Sequence, residues 1–177
     1  MTIREAAPQD AAGIARVHVD TWRTTYPGIM PQAHLDALSY AEHEQMWVAR
    51  LSGNALKTPV VFVAESDLAE IVGFVSGGPE KMGGFDAEVY ALYVMQSYQG
   101  QKLGQRLLRA IAQRLAGEGY ETLLIWVNAL NPAGGFYQLL GGKAVRTGQR
   151  EIKGVTYDDI GYGWNKAAFQ RLLQEIT

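Results

Sequence analysis

One stretch constrains what this chain can fold into more than any other: Ala87 to Leu115, A-E-V-Y-A-L-Y-V-M-Q-S-Y-Q-G-Q-K-L-G-Q-R-L-L-R-A-I-A-Q-R-L. Ala87 to Met95 is apolar, β-branched and aromatic, with no Gly or Pro, and reads as a buried strand. Gln99 to Gly104 is a short polar turn with two glycines. Leu103, Leu107, Ile111 and Leu115 then recur every four residues, with Leu108 and Ala112 beside them, which is the apolar stripe of an amphipathic helix. A strand that feeds a helix through a glycine turn is suited to an anion. The first N–H groups of a helix have no partner within it, and the macrodipole places partial positive charge there. The turn alone favours an ordinary strand–helix connection.

The flanking sequence sets this unit in a larger pattern. Thr2 to Glu5 reads as a first strand, and Pro8 as a helix start, with Ala11, Ile14, Ala15, His18 and Trp22 on one face up to Pro27-Gly28. Pro31 opens a second helical region broken near Ser39. Asn54 to Pro59 is a connection, and Val60 to Ala64 and Ile71 to Ser76 are strands, the latter stopped by Gly77-Gly78-Pro79. Beyond the opening helix, Gly117 and Gly119 form a stop and Thr122 to Val127 reads as a strand buried on both faces. Asn131 reads as an N-cap, Pro132 as the first helical residue and Gly141-Gly142 as the close. Val145 to Ile152 and Val155 to Trp164 form a hairpin turning at Lys153-Gly154, and Asn165 caps a helix to Ile176. Meander strands followed by a strand–helix–strand unit predict a mixed α/β fold with helices on both faces of a mixed sheet.

Composition narrows the function classes. With 177 residues the chain is expected to be one domain, 1–177. A net charge of −2 carries no nucleic-acid footprint. The chain has no Cys, which removes disulfides and thiolate chemistry, and no run of apolar residues has membrane-spanning length. A cytoplasmic protein with no membrane partner is expected. His34 and His43 show no metal-ligand pairing. Neither G-x-G-x-x-G nor its acidic partner is present, which argues against a dinucleotide site.

The motifs resemble those of the GNAT N-acetyltransferases, over nearly the whole length of the chain. The family's Q/R-x-x-G-x-G/A motif reads here Gln99-Gly100-Gln101-Lys102-Leu103-Gly104, with Lys102 replacing the central glycine. L-Y-V precedes it, Tyr98 abuts it, and N-P-A-G-G-F-Y-Q-L-L-G-G from Asn131 is similar to N-x-x-A-x-x-F-Y-x-x-x-G-F. That segment is one residue shorter before Phe136 and has Gly142 for the final Phe.

The resemblance implies a GNAT-like, mostly antiparallel, splayed seven-stranded sheet and transfer of an acetyl group from acetyl-CoA to a primary amine by direct attack, without a metal. It implies that Gln99, Gly100, Gln101, Lys102, Leu103, Gly104 and Gln105 cradle the CoA pyrophosphate. Leu92, Tyr93 and Val94 would pair with the pantetheine arm, with the Val94 N–H facing the thioester carbonyl, and Asn131 and Phe136 would line the CoA arm. Glu88 matches the family's general base, with Asp86 as runner-up and a solvated strand carboxylate as the plain alternative. Tyr137 matches the tyrosine that protonates the leaving thiolate, or is a packing aromatic. Trp22, Tyr26 and Ile29 match the region that covers the acceptor, although helix aromatics are more often core. His18 reads as a buried, hydrogen-bonded structural residue. The acceptor is a small-molecule or peptide amine, and an edge hairpin is compatible with a homodimer. A non-catalytic acyl-CoA-binding regulatory module is the alternative from another class.

Overall fold

The computed structural model describes residues 1–53 and 59–174. The expected connection at Asn54 to Pro59, apart from Pro59, and the expected helix end at Ile176 lie outside those residues. The chain forms β1 (Thr2–Glu5), α1 (Ala11–Thr25), α2 (Gln32–Asp36), α3 (Tyr40–Leu51), β2 (Val60–Glu65), β3 (Ile71–Pro79) and β4 (Ala87–Val94). It continues with α4 (Leu103–Gly117), β5 (Leu123–Asn128), α5 (Ala133–Leu139), β6 (Lys143–Ile152), β7 (Val155–Trp164) and α6 (Lys166–Leu173). The strands form one seven-stranded sheet in the order β1-β2-β3-β4-β5-β7-β6. It is mostly antiparallel, with β4 and β5 parallel. The β4–β5 ladder pairs Ala87 with Leu123, Glu88 with Leu124 and Val89 with Ile125, and ends there. A parallel ladder that short is what the expected splay requires.

The chain divides into two compact units, Met1–Gly77 with Ala91–Ile111, and Gly78–Tyr90 with Ala112–Thr177. In the first, Ala11, Ile14, Ala15 and Val17 of α1 pack with Trp47, Val61, Val63, Ile71 and Phe74. Gly13 lies inside α1 because a Cβ there would stand 2.7 Å from Ile71 Cγ1. A 3-10 turn at Pro8–Asp10 precedes α1, so the helix begins after Asp10 rather than at Pro8. Asp10 accepts two hydrogen bonds from Arg4, at 2.7 and 2.9 Å, and the same guanidinium donates to Glu65 at 2.8 Å. The Ser39 hydroxyl accepts from the Glu42 N–H at 3.3 Å, which is the break expected between α2 and α3.

β3 runs on through the glycines that were expected to stop it. Gly77 keeps its place in the ladder opposite Val60. In the second unit, a Cβ on Gly78 would lie 3.0 Å from the Tyr90 hydroxyl. These glycines make room over a strand, and ladder pairing outweighs their turn propensity. In the same unit β5 pairs with β7 from Leu123↔Trp164 to Asn128↔Asp159. The β6–β7 hairpin turns at Lys153 and Gly154, with φ of 49° and 79°, the pair of left-handed residues a two-residue hairpin demands. Asn165 caps α6 as expected, its side chain accepting from the Ala168 N–H at 3.0 Å.

Candidate functional site

The opening stretch folds as the strand, turn and helix that its residues predict, with one shift. The helix α4 begins at Leu103, so Gly104 sits in its first turn and not in the connection. Left-handed backbone falls instead at Gly100, φ 76°, and at Lys102, φ 59°. Lys102 therefore adopts the conformation for which glycine is suited, and its carbonyl accepts the Arg106 N–H at 3.0 Å. The N–H groups of Leu103, Gly104 and Gln105 lie in the first turn of α4, where a helix supplies no acceptor of its own. Leu103, Leu107, Leu108 and Ile111 are fully or almost fully buried and anchor this helix. The Gln99 side chain turns back and donates to the Val94 carbonyl at 3.0 Å, tying the end of β4 to the turn.

The acid-base candidates lie in the other unit. Glu88 is half-buried beside Leu124, and its carboxyl is raised above the usual carboxylate range by burial first and by the Glu80 charge second, with Lys81 opposing. Asp86 stands differently. Its Oδ2 accepts the N–H groups of Glu121 and Thr122 at 2.9 and 3.0 Å, which holds it below the usual range and makes it a poor base. Glu80 is a group that the sequence did not single out, because a carboxylate after a proline at a turn reads as solvated. Its side chain is wholly buried. Oε1 accepts the Met82 N–H at 2.7 Å and lies 3.6 Å from the Arg146 guanidinium, while Oε2 is buried with no hydrogen-bond partner among the described residues.

Asn131, Phe136 and Tyr137 belong to this same unit. Pro132, and not Asn131, takes the N-cap position of α5, so Asn131 stands one residue before the cap rather than at it, and its side chain accepts the Ala133 N–H at 2.9 Å. The Tyr137 ring is buried beside Phe136, Tyr162 and Trp164, with centroids 5.1, 6.0 and 6.3 Å away. The departure at Gly142 has a steric cause. A Cβ there would stand 2.7 Å from Trp164 Cζ2 and 3.0 Å from the Tyr137 carbonyl oxygen, so the Trp164 ring fills the space a Phe would need.

In the first unit, Trp22 Nε1 donates to the Tyr93 hydroxyl at 2.9 Å, and Tyr26 packs 5.1 Å from the Trp22 ring. Ile29 follows in the turn after α1, where its N–H donates to the Tyr26 carbonyl at 3.0 Å. Leu92 is half-buried. His18 lies among these rings, stacked on Tyr93 at 5.4 Å and edge-on to His43 at 4.7 Å. Among the described residues its buried Nδ1 has no hydrogen-bond partner, which corrects the expectation of a hydrogen-bonded histidine at that atom. Burial above all, then the nearby His43 and Arg50 charges, lowers it to about 3, so the ring is neutral at physiological pH. Among the described residues no group of three or more His, Asp or Glu side chains is arranged to hold a metal ion, and no helix is long and apolar enough to cross a membrane.

The sequence profile of the acetyltransferase (GNAT) family matches residues 14–141. The chain is 39% identical over 166 residues to the uncharacterized N-acetyltransferase YuaI of Bacillus subtilis, covering 93% of this chain and 92% of that one. It is 26% identical over 174 residues to the probable N-acetyltransferase Rv2775 of Mycobacterium tuberculosis, with 94% of each covered. Among solved structures, it is similar to a GCN5-related N-acetyltransferase from Rhodopseudomonas palustris, with a TM-score of 0.73 and 24% identity over 93% of this chain and 94% of that one. It is also similar to yncA, a protein from Salmonella typhimurium solved with acetyl-CoA, with a TM-score of 0.70 and 21% identity over 100% and 96% of the two chains. At these identities the structural likenesses establish the fold.

Proposed function

Because this chain belongs to the GNAT acetyltransferase family, we propose that it moves an acetyl group from acetyl-CoA to a primary amine by direct attack, as one domain spanning 1–177. The observation that carries this reading is the turn before α4, where left-handed Gly100 and Lys102 lead into the first N–H groups of an amphipathic helix. In this reading those groups of Leu103, Gly104 and Gln105 receive the CoA pyrophosphate, with Gln99 to Lys102 around it. Leu92, Tyr93 and Val94 accompany the pantetheine arm, and the Val94 N–H faces the thioester oxygen where charge develops. Asn131 and Phe136 contact the arm, and Trp22, Tyr26 and Ile29 line the acceptor.

The amine arrives as an ammonium ion and loses one proton to Glu88, whose raised proton affinity suits a base. The freed nitrogen attacks the thioester carbon. A C–N bond forms, the tetrahedral intermediate sheds its second proton, and the C–S bond breaks with its electrons on sulfur. Tyr137 donates a proton to the departing thiolate and is reprotonated from the nitrogen side or from solvent. The products are the amide, CoA and one proton released from Glu88. The absence of Cys fits a route without a thioester on the enzyme.

Calorimetric titration with acetyl-CoA tests the reading. Saturable binding is expected, and folded protein that binds no CoA at millimolar concentration sinks it. The non-catalytic alternative keeps CoA binding without turnover. Retention of both Glu88 and Tyr137 favours the enzyme, and CoA release across an amine panel separates the two.

A further inference from the structure

We propose that Trp126 is the floor of the acceptor site, and that its indole selects a primary amine that carries an aromatic ring. This deepens the amine-acetylating reading above and rests on it for the place of the amine at Glu88. Trp126 lies in β5, where the other five of the six residues are buried and Trp126 alone stays partly open. The strand was expected to be covered on both faces, so an open tryptophan marks a gap in its cover. The ladder shows where the gap lies. β4 pairs with β5 only as far as Val89 with Ile125, and Trp126 is the first residue of β5 past that last pair.

The register puts Trp126 on the face that carries Glu88. Glu88 stands opposite Leu124, and Trp126 lies two residues further along the same face. Such diagonal neighbours are roughly 7–8 Å apart. On the far side of Trp126 no side chain props the indole up. Trp126 pairs with Gly161 of β7, and Gly148 of β6 stands opposite Asp159 on the same face. A Cβ on Gly161 would lie 3.4 Å from Trp126 Cζ3, and one on Gly148 would lie 3.1 Å from Cζ3 and 3.2 Å from Cη2. β6 is two strands away from β5, about 9–10 Å, so an indole that reaches Gly148 lies down along the sheet. Its inner side rests on the two glycines, and the surface it keeps open faces away from them. The helix α5 packs on the opposite face, where Tyr137 meets Tyr162 and Trp164, the partners of Ile125 and Leu123.

The neighbouring charges decide what such a platform takes. With its amine at Glu88, an acceptor extends its remaining atoms over the indole. Arg146 and Arg150 stand on β6 two residues either side of Gly148, on this same face. Arg146 is ion-paired with Glu80, and Arg150 with Asp159 at 3.2 Å. A second cation on the indole would lie between two guanidinium groups, and an anion would compete with carboxylates already in place. An uncharged tail is what the platform accepts. An aromatic ring gains offset stacking on the indole in addition to the area it buries, which a saturated chain does not.

The test uses the full-length protein labelled with 5-fluorotryptophan, with and without CoA, and takes the Trp126 resonance as the one lost in Trp126→Phe. 2-Phenylethylamine should shift that resonance saturably and bind at least about threefold more tightly than n-butylamine or 1,4-diaminobutane. Trp126→Ala should erase the preference, and Trp126→Phe, which keeps an aromatic floor, should retain most of it. An indole that only covers Gly148 and Gly161 would leave the Trp126 resonance still, or would leave the aryl preference intact in Trp126→Ala. Either result overturns the proposal, and the first is read on the wild-type protein. Glu88→Gln separates this from the parent reading. If that variant keeps full turnover while 2-phenylethylamine still shifts the Trp126 resonance, the base assignment fails and the floor stands. If the wild type acetylates amines while the resonance stays still, acetyl transfer stands and the floor is overturned.

Discussion

Glu88 and Lys102 are two residues whose surroundings push them away from their ordinary behaviour, and each makes a measurable difference. The Glu88 carboxyl holds its proton above the usual carboxylate range because it is half-buried near Glu80. As a base it works only when ionised, so kcat/KM should rise with pH through that raised value. Glu88→Gln should remove this acid limb and lower kcat by roughly 10²-fold or more while leaving CoA affinity unchanged. Stability carries the opposite sign. A carboxyl with raised proton affinity in the folded state favours folding below its unfolded pKa, and loses that contribution as pH climbs through the folded one. Glu88→Gln should therefore be at least as thermostable as the wild type at neutral pH. Lys102 holds φ at 59°. A left-handed non-glycine residue costs about 1–2 kcal/mol, and glycine offsets part of that gain through its freer unfolded chain. Lys102→Gly should raise stability by up to ~1 kcal/mol in denaturant melts, while Lys102→Ala, which keeps the strain, should not.

At the scale of elements, the contacts that pin one element to the next decide the geometry. The Arg4 guanidinium joins β1 to the start of α1 through Asp10 and to β2 through Glu65. Asp10 is only 6% exposed, and its hydrogen bonds to Arg4 hold it below the usual range. Its contribution is present at neutral pH and is lost as pH falls through that lowered value. Asp10→Asn should cost about 2 kcal/mol at pH 7, measured by chemical denaturation, and the difference from wild type should shrink toward acid pH. In the other unit, α5 packs its Gly141-Gly142 end against Trp164, whose indole donates to the Leu140 carbonyl at 2.8 Å. Gly142→Ala should cost roughly 2 kcal/mol or more, because the Trp164 ring and the Tyr137 carbonyl occupy the Cβ position. Turnover should fall with it, because the change displaces the helix that carries Tyr137.

For the molecule as a whole, ligand and fold are linked. A ligand that binds only the folded state at a hundred times its Kd adds about 2.7 kcal/mol, which for a chain of this size raises Tm by roughly 5–10 °C. Saturating acetyl-CoA should produce a shift of that order in a thermal melt. Gly104→Glu should abolish the shift while leaving a folded protein, since it places bulk and negative charge among the first N–H groups of α4. A full shift in that variant would move the pyrophosphate away from this turn.

The linear pattern determined the order of the elements, because period two and period four in hydrophobicity, and the side-chain caps at Ser39 and Asn165, are local properties. It also located the strand–turn–helix unit from Ala87 to Leu115 and the residues whose types suit its chemistry. Tertiary structure decided what depends on distant neighbours. Gly77 and Gly78 stay in a strand because ladder partners and the Tyr90 ring lie across from them. Glu88 and Asp86, two residues apart, diverge because one is buried near a second carboxylate and the other accepts two N–H groups from the chain around Thr122. Glu80 was invisible in the sequence for the same reason: whether a carboxylate meets water or a closed interior is set by the turn that folds over it and by an arginine more than sixty positions away.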